Sequence, residues 1–174
     1  MSKSCLNKLS GNILVDCGVP AHGILNLYLM HVEDVSFTYT SDSTAISAVT
    51  FAEGAKSYRI EGYKQNLQAT ASLRSTDASG RFDVSVMFKA KLAGTYAQSI
   101  SAGKFYVMLE EPVTAGSNTV WGCVSPLECS NIEYDSNANG KLVTYTLSAP
   151  EGSAGNIRVA TSAAVATSII EKSV

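Results

Sequence analysis

Apolar and polar residues alternate with a period of two along most of this chain, the signature of strands with one covered and one wet face. The alternation is clearest in RFDVSVMFKAKL (81–92), where Phe82, Val84, Val86, Phe88, Ala90 and Leu92 share one face. Arg81, Asp83, Ser85, Met87, Lys89 and Lys91 share the other. Upstream, Leu67, Ala69, Ala71 and Leu73 alternate with Gln68, Thr70, Ser72 and Arg74. Thr76-Asp77-Ala78-Ser79-Gly80 lies between the two runs and supplies turn residues, which predicts a long antiparallel hairpin. A second hairpin is predicted at Asn139-Gly140, the dipeptide suited to a two-residue type I′ turn, with Val143, Tyr145, Leu147 and Ala149 facing inward. Further strands are expected at Gly23 to Val32, Val35 to Thr40, Ala45 to Phe51, Lys56 to Tyr63, Lys104 to Glu111 and Thr119 to Ser125, about nine in all.

One short helix is expected in TYAQSISAGK, where Thr95 and Gln98 fit a capping box, Tyr96 and Ile100 lie four apart and Gly103 suits the exit. The tail IRVATSAAVATSIIEKSV has no clear period and reads equally as strand, arm or frayed helix. Antiparallel strands separated by frequent turns predict an all-β fold of two packed antiparallel sheets, a sandwich or barrel, with one short α-helix. At 174 residues the chain suits one β domain, expected with an N-terminal arm (about 1–22) and a C-terminal extension (about 153–174).

Charged residues make up 16% of the chain, below the ~25% usual in soluble domains, so few charges keep copies apart. A net charge of −2 gives no basis for tight binding to nucleic acid, which calls for clustered Lys and Arg. The opening MSKSCLNKLSGNILVDCG lacks the continuous apolar stretch of a secretory signal. No run approaches the ~18–20 apolar residues that span a bilayer, so a soluble protein made in the cytoplasm is expected, without a membrane partner.

Candidate chemistry is sparse. Cys5, Cys17, Cys123 and Cys129 are separated by eleven, 105 and five residues, unlike a zinc knuckle, and are expected to be reduced and mostly buried. His22 and His31 are the only histidines, and pairing either with Cys17, as metal ligand or thiol base, has no supporting motif. Glu110 and Glu111 are adjacent and point to opposite sides of a strand, which argues against a glycosidase pair. Nucleotide-binding glycine loops and a nucleophile elbow are absent from the sequence. Trp121, in an apolar strand, reads as core; with Tyr58 and Tyr63 it offers stacking platforms if the chain is a carbohydrate-binding or adhesin module. No enzyme, no catalytic residue, no metal and no cofactor are therefore expected.

The order of segments resembles the tail-tube and related virion structural proteins of tailed bacteriophages, in particular those of phages of gut Bacteroides. The resemblance is carried by SGNILVDCG, GILNLYLMHVEDV, the hairpin EGYKQNLQATASLRSTDASGRFDVSVMFKAKL, KFYVMLEE, NTVWGCVS and the final IEYDSNANGKLVTYTLSAPEG. It spans residues 11 to 152, with Trp121 and Gly122 adjacent and GCVSPLEC inserted before the last hairpin. It implies a virion structural protein assembled in the host cytoplasm, six copies closing into rings that stack into a tube for DNA. Its partners would be itself, other virion proteins, and DNA in transit without tight binding. In that tube Gln68, Thr70, Ser72, Asp83, Ser85 and Lys89 would face the lumen. A capsid decoration or fibre-base protein is the alternative within the same class.

Overall fold

A computed structural model describes residues 23–62, 66–73, 82–91, 94–111, 118–137, 142–150 and 159–173. Its two most apolar strands, β1 (Asn26–His31) and β7 (Lys104–Glu110), carry buried residues on both faces. Leu27, Tyr28, Leu29 and Met30 are consecutive and buried, as are Val107, Met108 and Leu109. Such strands lose the two-residue alternation because both sides are covered. They pair antiparallel along their whole length, with Asn26 opposite Glu110 and His31 opposite Phe105.

The remaining strands follow from this pair: β2 (Val35–Tyr39), β3 (Ala45–Phe51), β4 (Tyr58–Glu61), β5 (Leu67–Leu73) and β6 (Phe82–Lys91). After β7 come β8 (Thr119–Trp121), β9 (Leu127–Tyr134), β10 (Leu142–Ser148) and β11 (Val159–Thr161). β4 flanks β1 on its free side. The opposite edge of β7 is shared, because Val107–Leu109 pairs with β8 while Lys104 and Phe105 pair with Glu128 and Leu127 of β9. From this branch one sheet runs β8-β11-β3-β2 and the other β9-β10-β6-β5. All pairings are antiparallel except β11 with β3. The branch depends on Gly122, which leaves β8 at φ +93; a Cβ there would sit 2.9 Å from the Phe105 carbonyl oxygen.

Two cores result. One face of β1, β7 and β8 packs through Leu27, Leu29, Val107, Leu109 and Trp121 onto Val84, Val86, Phe88, Val143, Tyr145 and Leu147 of the β9-β10-β6-β5 sheet. The other face packs through Tyr28, Met30, Met108 and Val120 under Val35 and Ile46. The expected architecture of two packed antiparallel sheets is what the chain adopts.

The helix count differs from the sequence expectation. α1 (Gly94–Ala102) stands where the helix was expected and packs Ala97 and Ile100 on the first core, while Tyr96 is exposed. The Thr95 side chain of the expected capping box lies outside the described residues. A second helix, α2 (Ala163–Glu171), occupies the tail, with Ser162 Oγ accepting the Val165 N–H at 3.3 Å as its N-cap. Its apolar stripe, Val165, Ala166 and Ile169, is narrow and closes the second core; the small residues around it blur the period. Within the segment expected as a C-terminal extension, residues 159–173 form β11 and α2. Buried Ser57 fastens it: its Oγ donates to the Ile169 carbonyl at 2.6 Å and its N–H to the Lys172 carbonyl at 3.1 Å. The expected N-terminal arm (about 1–22) and the turns at 76–80 and 139–140 lie outside the described residues.

Candidate functional site

The polar face of β5 and β6 is built by strict register. Seven consecutive pairs, from Leu67 opposite Phe88 to Leu73 opposite Phe82, put Leu67, Ala69, Val84, Val86 and Phe88 on the core side. On the other side Gln68 lies opposite Met87, Thr70 opposite Ser85 and Ser72 opposite Asp83. Lys89 follows on the same side, its N–H bonded to the Asn66 carbonyl at 2.9 Å. The six residues Gln68, Thr70, Ser72, Asp83, Ser85 and Lys89 therefore share one face, with Gln68, Thr70, Ser72 and Asp83 exposed and Ser85 and Lys89 half-buried.

This face is wider than the sequence reading made it. Across β10, Thr144, Thr146 and Ser148 lie opposite Lys89, Met87 and Ser85. Across β9, Glu133, Asn131 and Glu128 continue the same rows, with the register shifting between Thr146 and Leu147. The alternation of Thr144, Thr146 and Ser148 with Val143, Tyr145 and Leu147 carried that signal; the neighbourhood of β10 and β6 did not show in the sequence. Lys89 and Lys91 are interspersed with Asp83, Glu128 and Glu133, and Glu128 is held by Lys104 at 2.8 Å. The face is hydrophilic without a cationic strip that would grip phosphate.

The ends of this sheet carry no further strand, though α1 lies against β9. Among the described residues β5 pairs with β6 alone, and β9 beyond Glu128 pairs with β10 alone. Protein edges are ordinarily blunted by charge, brevity or bulges. β4 is four residues long and carries the Arg59–Glu61 ion pair at 2.8 Å. β2 has a register shift between Thr38 and Tyr39. β5, LQATASL, has neither charge nor shift over seven residues.

The other candidates are placed elsewhere. Trp121 is 5% exposed and its Nε1 donates to Thr119 Oγ1 at 3.0 Å, so it offers no stacking platform. Tyr58 is exposed and meets His31 edge-on, while Tyr63, His22, Cys5 and Cys17 lie outside the described residues. His31 itself lies against Phe105, ring centroids 4.7 Å apart. Glu110 accepts from Asn26 Nδ2 at 2.6 Å and from the Tyr28 hydroxyl at 2.9 Å. Burial first, and then that carboxylate, push the Tyr28 hydroxyl up to about 12. Burial likewise pushes the Cys123 thiol up to about 11, away from the thiolate a nucleophile needs. Among the described residues no group of three or more His, Cys, Asp or Glu could hold a metal ion. No family model, curated protein or solved structure matches this chain.

Proposed function

We propose that this chain is a structural protein of a tailed-phage virion, whose copies close into stacked hexameric rings forming the tail tube through which DNA passes. The observation that carries the reading is the β9-β10-β6-β5 sheet: core on one face, hydrophilic on the other, and, among the described residues, without a further strand on β5 or on β9 beyond Glu128. A sheet of this kind is completed by joining its edges to further copies, which removes them from solvent. Six copies of four strands give a barrel of about 24 strands; barrels of ~16–18 already leave an aqueous channel. Gln68, Thr70, Ser72, Asp83, Ser85 and Lys89 would line that channel, joined by Thr146, Asn131 and Glu133. Mixed, mostly uncharged polar groups let a polyanion slide where a cationic lining would hold it. The work is passive, so no catalytic residue and no cofactor is assigned.

The reading is tested by concentrating the purified protein and following it by sedimentation velocity and negative-stain microscopy. Six-fold rings or tubes with a stain-filled centre are expected. A monomer at every concentration and salt, or a closed trimer, contradicts it.

A further inference from the structure

The β2-β3 hairpin is joined to the rest of the fold by one three-residue strand. Among the described residues β2 pairs only with β3, and β3 pairs further only with β11, Ala160 opposite Ala45 and Thr161 opposite Ile46. β11 in turn reaches β8 through two pairs, Val159 with Val120 and Ala160 with Thr119. Its link to β3 is parallel, the weaker kind per residue. Among the described residues, removing β11 therefore cuts every strand-to-strand hydrogen bond between the hairpin and the β1, β7 and β8 strands.

Side-chain packing compensates only in part. Of the five residues of β2 and the seven of β3, Val35 and Ile46 alone are buried. β6 and β10 by contrast bury Val84, Val86, Phe88, Val143, Tyr145 and Leu147. α2 packs on β3 and closes the second core, yet a cleft of about 560 Å³ remains between Val49 and Phe51 on one side and Ser168 and Lys172 on the other. Hydrogen bonds do much of the fastening. At one end the Thr161 N–H and hydroxyl both donate to the Asn118 carbonyl, at 3.0 and 3.2 Å. At the other, buried Ser57 holds the Ile169 and Lys172 carbonyls.

Neither part is stable without the other. An isolated two-stranded hairpin is marginal in water. A helix of nine residues is shorter than the ~12–15 at which isolated helices become even marginal. We infer that β2, β3, β11 and α2 form one cooperative layer that opens from β1, β7 and β8 as a unit while the first core stays closed, with β11 and α2 as the strap that pins it. Opening bares Tyr28, Met30, Met108 and Val120, the floor of the second core. Units of this kind open at lower free energy than the whole fold. The device belongs to the single copy and stands apart from the ring reading.

Hydrogen exchange of the dilute full chain tests it. In the unmodified protein the hydrogen-bonded amides of β2, β3, β11 and α2 should share one protection factor, at least ~tenfold lower than that of β6 and β10. Ser57→Ala removes one fastening and should speed exchange in β2, β3, β11 and α2 by the same factor, ~fivefold or more. Full unfolding breaks that fastening too, so a second variant separates the layer from the whole. Val143→Ala weakens the first core alone; it should speed β6 and β10 by ~fivefold or more and leave β2, β3, β11 and α2 unchanged. If Ser57→Ala speeds β11 and α2 but not β2 and β3, the shared layer is overturned, because the hairpin is then held without its strap. Equal protection of all these strands in the unmodified protein, or their acceleration together in Val143→Ala, overturns the separate opening.

Discussion

Phe88→Ala removes the ring on which the division between core and polar face turns. Phe88 is 1% exposed in the first core and stacks on Tyr145, centroids 5.0 Å apart and planes 15° from parallel. It also sits at the centre of its sheet, opposite Leu67 on β5 and Tyr145 on β10. Truncation loses the transfer energy of the ring and leaves a cavity that flanking strands fill poorly, costing ~3–5 kcal/mol. The lost stacking geometry is worth ~0.5–1.5 kcal/mol within that total. Ser85→Ala, three residues away on the other face, should stay within ~0.5 kcal/mol. Urea unfolding of dilute protein measures both, as a shift of midpoint at unchanged slope. Assembly should fail in Phe88→Ala through loss of folded subunit. A loss under ~1 kcal/mol for Phe88→Ala together with more than ~2 kcal/mol for Ser85→Ala would mean that the faces are inverted, against the magnitudes expected for core and surface sites.

Three further outcomes follow from particular contacts. The Tyr145 hydroxyl is buried without a hydrogen-bond partner among the described residues, so Tyr145→Phe should stabilise by ~1 kcal/mol in urea; a loss of that size would reveal a partner. Ser57→Ala deprives the Ile169 carbonyl of its buried donor and should cost ~1–3 kcal/mol, read as a lower thermal midpoint; an unchanged midpoint refutes the latch. The Tyr28 hydroxyl is raised from 10.0 to about 12, so its contribution to stability is complete below pH 10 and lost as pH rises through 12. Alkaline unfolding should therefore weaken in Tyr28→Phe, and an identical pH profile for both proteins would contradict this.

The strands most legible in the sequence were those with one wet face. Phe82 to Lys91 alternates, and Ala45 to Phe51, expected as a strand without that regularity, is found at its expected bounds. β1 and β7 were legible as strands from their apolar runs, but their burial on both faces depends on α2 and β3, distant in sequence. α2 escaped because Ala163, Ala164, Thr167 and Ser168 dilute the stripe of Val165 and Ile169. The six polar residues of β5 and β6 were legible from period two alone. Thr144, Thr146 and Ser148 alternate just as clearly, yet joining them to that face required the pairing of β10 with β6, which no local pattern encodes. Ile132 and Tyr134 read as ordinary strand residues until the register placed them, still exposed, on the core side of β9.

The central claim is that this sheet closes with copies of itself around a channel. A cryo-electron-microscopy reconstruction of the concentrated protein tests it most directly. The account predicts six copies per ring, a continuous antiparallel barrel, and Gln68, Thr70, Ser72, Asp83, Ser85 and Lys89 facing its hollow. An assembly with those residues on its outer surface, or with the β5 edge left in solvent, would contradict it.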